Sequence, residues 1–241
     1  MRTTLIPNML DVISTNLSHK VEEVGAFECG NTFKPQEGLP VQMKNLCIGM
    51  YGKEVDFFVL KGAVEAIVNN VGLKGYEIEP ETTNLTFHPG RCAKLMYNNI
   101  CLGTFGELHP DVLENYSLNQ RVYVAELNLD LVFENLNHVI TYNPLPKYPA
   151  TTRDIALLVK DEVFVKQIED LIKSNGEDIL ESYQLFDVYK GAQIEEGHKS
   201  IAYSITYRSK EKTLTDEDVA KVHDKIVSEL SEKLNANLRS N

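Results

Sequence analysis

The most regular hydrophobic pattern lies in the last third of the chain. Ile155, Leu157 and Val159 alternate with other side chains, and residues 200–208 alternate in the same way. A period of two predicts strands. Apolar positions at helical spacing over 164–175, followed by Gly176, and an apolar stripe over 219–234 predict two helices. Thr215 suits the N-cap of the second helix.

With strands over 182–189 and 236–239, these elements follow in the order β-α-β-β-α-β. This order is the ferredoxin-like plan, a four-stranded sheet with its helices on one face. The alternation predicts that Tyr203 and Tyr207 point towards the helices. The open face is expected to carry the less apolar set: Ala156, Tyr189, Ser200, Ala202, Ser204 and Arg208. RNA-recognition folds stack bases on such a face, but domains of this plan also bind metabolites or dimerise, so both alternatives stay open.

The first segment is predicted to be α+β with a less regular pattern. We expect helices over 5–17, with Pro7 in the first turn, and over 57–70, with Gly72 as the C-cap. Strands are predicted over 24–29, 41–50 and 122–132, and a hairpin over 91–97 and 100–108 turns at Asn98 and Asn99.

A proline-rich stretch separates the two segments. Pro144, Pro146 and Pro149 lie close together, and proline fixes φ and lacks a backbone donor. We therefore predict a domain over 1–135, an extended linker over 136–150 and a second domain over 151–241.

Composition excludes several classes of protein. The 241 residues carry a net charge of −11, which argues against a protein that coats polyanions generally. The chain has neither an apolar run long enough for a membrane span nor a secretory leader pattern, so we expect a cytoplasmic location. Its four cysteines form no C-x-x-C pair, and we expect free thiols and no metal site.

The residues show no catalytic motif of a nucleophilic or nucleotide-binding enzyme. His109 precedes Pro110 and is predicted to cap a helix, and Arg91 is predicted to pair with a partner surface. The acidic runs 79–81 and 216–218 are interpreted as a solvated loop and a helix start. We therefore predict no catalytic residue in this chain.

Several strings resemble one family over essentially the whole chain, namely the C-terminal part of the β subunit of bacterial phenylalanyl-tRNA synthetases. In the second segment they are KYPATTRDIALLV, LFDVYKG, GHKSIAYSITYRS and KTLTDEDV; in the first they are TLIPNML, FECGNTF, FFVLKGAVEAI, FHPGRCAKL, GELHPDVL and VAELNLDL. The resemblance implies part of a class II synthetase-like core followed by a ferredoxin-like anticodon-binding domain.

The same resemblance implies an anticodon pocket lined by Ala156, Tyr189 and Ser200. We add possible phosphate contacts from their position in the sequence: Lys190, Lys199 and Arg208. The parent enzyme would join phenylalanine to tRNA(Phe) with ATP and Mg²⁺, as a heterotetramer of two α and two β subunits. This chain itself is expected to hold no cofactor.

The chain also departs from the family pattern. Cys29 and Asn31 stand in FECGNTF where an aliphatic and usually a basic residue are expected. The β subunits of the family extend much farther on the N-terminal side, so we expect the chain to be a C-terminal fragment.

The core also lacks a nucleotide-binding signature. Catalytic α subunits carry G-x-G-x-x-R, and in a hand alignment Ala125, Leu127 and Asp130 occupy the two glycines and the arginine. An aspartate repels triphosphate, so we predict a degenerate, inactive core that docks on the α subunit. Two alternatives remain: a single-chain synthetase of the organellar type, and a ferredoxin-like regulatory protein that binds metabolites.

Overall fold

The computed structural model describes residues 1–136, 142, 144–191 and 193–238. The chain divides into two compact units, residues 1–141 and 142–241. Pro144, Pro146 and Pro149 lie in neither helix nor strand. The rest of the predicted linker lies partly outside the described residues, at 137–141 and 143.

Unit 1 is built on an antiparallel sheet of six strands in the order β1-β2-β6-β5-β4-β3. The strands are β1 Val24–Lys34, β2 Val41–Tyr51, β3 Glu77–Pro80, β4 Phe87–Tyr97, β5 Ile100–Leu108 and β6 Tyr123–Asn128. The helices are α1 Ile6–Ser18, α2 Phe57–Asn70, α3 Pro110–Asn115 and α4 Leu129–Glu134.

Each face of this sheet carries its own hydrophobic core. Helix α1 buries Met9 and Ile13 in a cluster that includes Cys47 of β2. Helix α2 contributes Leu60 to a second cluster that includes Ile48, the next residue of β2. Because successive strand residues point to opposite faces, the two helices cover opposite sides of the sheet.

Most of the predicted elements of unit 1 are present. Asn98 and Asn99 both have positive φ, 47° and 64°, as a tight two-residue hairpin turn requires. The C-cap of α2 is Val71 rather than Gly72, which follows it with φ +84°. Glycine adopts that left-handed conformation without steric cost.

Two predictions in unit 1 are wrong in detail. The strand predicted over 122–132 ends at Asn128, whose side chain accepts a hydrogen bond from the Leu131 amide and begins α4. The run 79–81 is not a solvated loop. Glu79 lies in β3, and Glu81 is buried, where contacts with Lys94 and Thr83 lower its pKa to about 2.

Unit 2 has the predicted ferredoxin-like architecture, with an antiparallel sheet in the order β10-β7-β9-β8. Its strands are β7 Thr151–Lys160, β8 Leu180–Tyr189, β9 His198–Tyr207 and β10 Asn237–Leu238. Its helices are α5 Val165–Asn175 and α6 Asp216–Leu234, with a 3₁₀ turn at Glu177–Ile179. The predicted end of the last strand, at 239, lies outside the described residues.

The core of unit 2 forms between its helices and one face of its sheet. Tyr203 and Tyr207 are fully buried there with Ile155 and Leu157, which confirms their predicted orientation. Thr215 caps α6 by accepting a hydrogen bond from the Asp218 amide, also as predicted. Within the described part of this unit, the opposite face of the sheet carries no helix.

Candidate nucleic-acid interface

Strand pairing brings the three predicted anticodon residues together on the open face of unit 2. Ser200, on the central strand β9, pairs with Tyr189 of β8 on one side and with Leu158 of β7 on the other. In the adjacent open-face row, Ala156 pairs with Ala202. Paired residues point to the same side of a sheet, so both rows lie on one continuous surface.

A β-bulge in β8 determines the face on which Tyr189 lies. Leu185 pairs with the buried Tyr203, and strict alternation would place Tyr189, four residues later, on the same helix-covered face. The register shifts between Leu185 and Asp187, which inserts one extra residue, Phe186. The shift reverses the alternation, and Tyr189 therefore pairs with Ser200 on the open face.

The surface has a small-residue floor and an aromatic rim. Ser200 and Ala202 are buried by the strands on either side, whereas Tyr189 on the outer strand is 38% exposed. Small side chains leave room above the floor, and Tyr189 offers a ring at its side. This shape suits a planar group that lies against the sheet.

Two of the three cations predicted to meet phosphates, Lys190 and Lys199, meet at Asp161, and the third, Arg208, lies elsewhere. The Lys190 ammonium lies 2.5 Å from the Asp161 carboxylate, beside the end of β8. Lys199 pairs with Val159, a residue of the unit 2 core, so its side chain points to the helix-covered face of the sheet. Its ammonium donates a hydrogen bond to the Asp161 carbonyl. Burial lowers the pKa of Lys199.

Arg208 lies at the other end of the sheet. It directly follows the last residue of β9 and is eight positions from Ser200, a distance of about 26 Å at roughly 3.3 Å per residue. Its guanidinium donates to both Glu181 carboxylate oxygens, at 2.9 and 3.0 Å, and to the Tyr148 carbonyl. Arg208 is therefore not beside the other candidates.

Sequence reasoning missed two polar groups on the open face. Lys160 and His198 pair with each other in the row beyond Ser200. The alternation along β7 indicates that Lys160 lies on the open face, because it is two residues after Leu158 and four residues after Ala156. Lys160 is the exposed cation that the register places closest to the three anticodon candidates on this face.

Unit 1 places the degenerate motif positions inside its fold. Ala125 and Leu127 are fully buried on the face covered by α2. The Asp130 carboxylate accepts a hydrogen bond of 2.7 Å from the Lys44 amide. At the positions aligned with the two glycines and the arginine, the structure thus has larger side chains and an aspartate that binds the backbone of the neighbouring strand β2.

Glu126, between those positions, is held by neighbouring polar groups. Its carboxylate accepts hydrogen bonds from the Thr4 hydroxyl at 2.6 Å, the Leu5 amide at 2.7 Å and the Asn45 side chain at 3.2 Å. These bonds tie the segment before α1 to the middle of the sheet. The carboxylate has a structural role at this position.

The other chemical candidates of unit 1 are also structural. His109 caps α3 by accepting from the Asp111 amide, as predicted. Arg91 instead pairs with Glu107 of the same unit: its Nη1 donates to both carboxylate oxygens, at 2.8 and 3.0 Å. All four cysteines are free, Cys47 and Cys92 buried and the other two exposed.

No group of three or more possible metal ligands occurs within the described residues. Over the same residues, no helix has the length and apolar character that a membrane crossing demands.

Comparison with known proteins defines the class as an aminoacyl-tRNA synthetase subunit. Residues 1–129 match the phenylalanyl tRNA synthetase beta chain CLM domain, and residues 146–239 match the ferredoxin-fold anticodon binding domain. The chain belongs to the phenylalanine–tRNA ligase β-subunit family. This membership supports the predicted family over both alternatives considered from the sequence.

Two curated relatives illustrate the similarity. Phenylalanine–tRNA ligase β subunits of Clostridium tetani and Clostridium acetobutylicum are 48% and 46% identical to the chain, over 99% of its length. The chain spans about 30% of the length of each. A pyrrolysyl-tRNA synthetase from Desulfitobacterium hafniense aligns with 55% of this chain and 49% of its own, at 14% identity and a TM-score of 0.48.

Proposed function

We propose that unit 2 binds the anticodon of tRNA(Phe), with Ala156, Tyr189 and Ser200 lining the site. The observation that carries this proposal is the shared open face, on which two strand registers and a bulge bring these residues into adjacent rows. They come from three different strands, and only the folded sheet makes them neighbours.

Each of the three residues has a distinct role in this proposal. The Tyr189 ring stacks on a base, an interaction worth about 1–3 kcal/mol per base. Ala156 leaves space for that base, and the Ser200 hydroxyl hydrogen-bonds its edge, as is usual for bases splayed out of a single-stranded loop. The site thus reads the base rather than the backbone.

Electrostatics favour few phosphate contacts. Asp161 neutralises Lys190, Glu181 neutralises Arg208, and the Glu162 carboxylate lies 3.9 Å from the Lys160 ammonium, so these three cations each already have a carboxylate partner. Each phosphate neutralised adds about −0.7 to the logarithmic salt slope for a single strand, so we expect a slope of about −1 to −3.

For unit 1 we propose a non-catalytic role as a docking platform for the α subunit. The hydrogen-bonded Asp130 and the buried positions 125 and 127 leave no nucleotide-binding motif at this place. Phe27, on the edge strand β1, is 77% exposed, and edge strands with apolar side chains tend to associate. The α subunit would cover this edge.

In the assembled enzyme, two α and two β subunits would join phenylalanine to tRNA(Phe) in the cytoplasm. ATP and Mg²⁺ would be bound by the α subunits, and unit 2 would select the tRNA. The part of the reaction that we assign to this chain is recognition of the tRNA.

The experiment that tests the proposal is Tyr189→Ala in the full-length β subunit assembled with its α partner. We expect the affinity for an anticodon-stem RNA to fall about five- to 150-fold, the range for one lost stack. Tyr142→Ala, at an exposed tyrosine outside the sheet, serves as control and should bind like the wild type. Wild-type affinity of Tyr189→Ala would refute the assigned face.

A further inference from the structure

The bulge that turns Tyr189 outward also places a second aromatic ring beside it. Leu185 packs against the core of unit 2, so the next residue, Phe186, points to the opposite face. Asp187, which follows, pairs with Ala202 of the open face. Two consecutive residues of β8 therefore face outward, which regular alternation would not allow.

Phe186 is 57% exposed, although it lies within a strand. A single exposed apolar residue is ordinary at a protein surface and is not evidence of a site. Here the position matters, because Phe186 shares a strand and a face with Tyr189. The two residues are three positions apart, about 10 Å at roughly 3.3 Å per residue.

The charges around Phe186 favour a base over a phosphate. Asp187 lies in its row, and Asp154, paired with Ser204, lies in the next open-face row. Two carboxylates repel a phosphate group, whereas the face of an aromatic ring accepts any base by stacking. Sheet-based RNA-binding folds use two or more aromatic rings on one face for successive bases.

We infer that Phe186 is a second base-stacking residue, which holds a nucleotide adjacent to the one stacked on Tyr189. The inference rests on the proposed function of the open face and extends it from one base to two. The separation of about 10 Å is too large for both rings to sandwich one base, so each ring serves its own nucleotide.

Phe164 provides a matched control for a substitution at Phe186. It has the same exposed fraction, 57%, and lies in the same unit, but it is the N-cap residue of α5. Phe186→Ala, Phe186→Tyr, Phe164→Ala and Tyr189→Ala are compared in the full-length β subunit assembled with its α partner. Melting curves establish that each variant is folded.

Binding is measured with a synthetic anticodon stem-loop and with a series of the same RNA carrying one abasic nucleotide in the loop. We expect Phe186→Ala to bind the intact RNA about five- to 150-fold more weakly, Phe186→Tyr to restore most of the affinity, and Phe164→Ala to bind normally. The Phe186→Ala defect should vanish on one abasic RNA, and the Tyr189→Ala defect on the RNA that is abasic at a neighbouring position.

The outcomes separate this inference from the proposed function. If Tyr189→Ala weakens binding and Phe186→Ala does not, the second stacking residue is refuted and the proposed function stands. If neither variant weakens binding, the open face does not read the anticodon. If Phe186→Ala keeps its affinity for the RNA but no longer co-purifies with the α subunit, the ring belongs to a protein interface, and the inference is wrong.

Discussion

The hydroxyl group of Tyr189 occupies the space that a side chain at Gly191 would fill. A Cβ atom built on Gly191 would be 2.6 Å from the Tyr189 hydroxyl oxygen and 2.8 Å from its Cζ. Any residue other than glycine would therefore push the ring aside. The glycine two residues after the tyrosine helps to set the direction of the proposed stacking ring.

Gly191→Ala should weaken RNA binding without destabilising the fold. The atoms that must move are at the far end of the Tyr189 side chain, which shifts at little cost in stability. We expect a several-fold loss of affinity for an anticodon stem-loop, within the roughly five- to 150-fold range of one stacked base, and an unchanged melting temperature. In a Tyr189→Ala background the same substitution should have no further effect; an additional loss there would show that Gly191 acts independently of the ring.

Tyr203→Ala should behave in the opposite way. Tyr203 is fully buried against α5, where its hydroxyl lies 3.4 Å from the Glu169 carboxylate. Truncating a buried aromatic residue costs about 3–5 kcal/mol of the free energy of unfolding. Urea denaturation of the wild type and of Tyr203→Ala and Tyr189→Ala measures this difference. Equal destabilisation by the two substitutions would contradict the assignment of the two faces.

The stability of unit 2 should decrease below neutral pH through His223. Its Nδ1 atom lies 3.0 Å from the Tyr207 hydroxyl, and burial lowers the pKa of His223 from its ordinary value of 6.5. The unfolded chain therefore binds a proton before the folded one does. The contribution of this histidine is complete above about pH 6.5 and is lost as the pH falls through the folded-state pKa.

Urea denaturation at several values between about pH 7.5 and about pH 5 tests this dependence. His223→Gln removes the titrating group, so the variant should lose less stability than the wild type over that interval. Parallel curves for the two proteins would exclude His223 as the source.

This chain alone should show no phenylalanine-dependent exchange between ATP and pyrophosphate. Ala125 and Leu127 are buried at the positions that the alignment assigns to the motif glycines, and Asp130, at the position assigned to the arginine, would repel the triphosphate. The exchange assay is run at micromolar protein, with the assembled enzyme as positive control. Turnover by the chain above the protein-free blank would overturn the assignment of a degenerate core.

Phe27→Lys should weaken the association of the full-length β subunit with the α subunit. A lysine on an edge strand opposes pairing and apolar contact, while Phe27 is too exposed for its loss to unfold unit 1. Leu85→Lys is the control, since Leu85 is similarly exposed and precedes β4, near the other edge of the sheet. Co-purification and melting curves report the two effects, and equal recovery of α with both variants would exclude this edge as the docking surface.

Much of the fold could be predicted from the sequence because the signals are local. The alternation of Ile155, Leu157 and Val159, and the buried orientation of Tyr203 and Tyr207, follow from a period of two within one strand. The caps at His109 and Thr215 depend on residues two or three positions away. The family strings then indicated Ala156, Tyr189 and Ser200, whose role in binding stays a prediction.

Tertiary structure alone decided which face each candidate occupies at the ends of the strands. The bulge at Phe186 arises from pairing between β8 and β9. It places Tyr189 on the open face, whereas regular alternation from Leu185 would place it on the helix-covered face. Lys199 and Arg208 are near the site in sequence but do not line it. Lys199 points to the helix-covered face, and Arg208 lies at the far end of the sheet. Hydrogen bonds between strands that are distant in the chain set this register, and no local pattern encodes them.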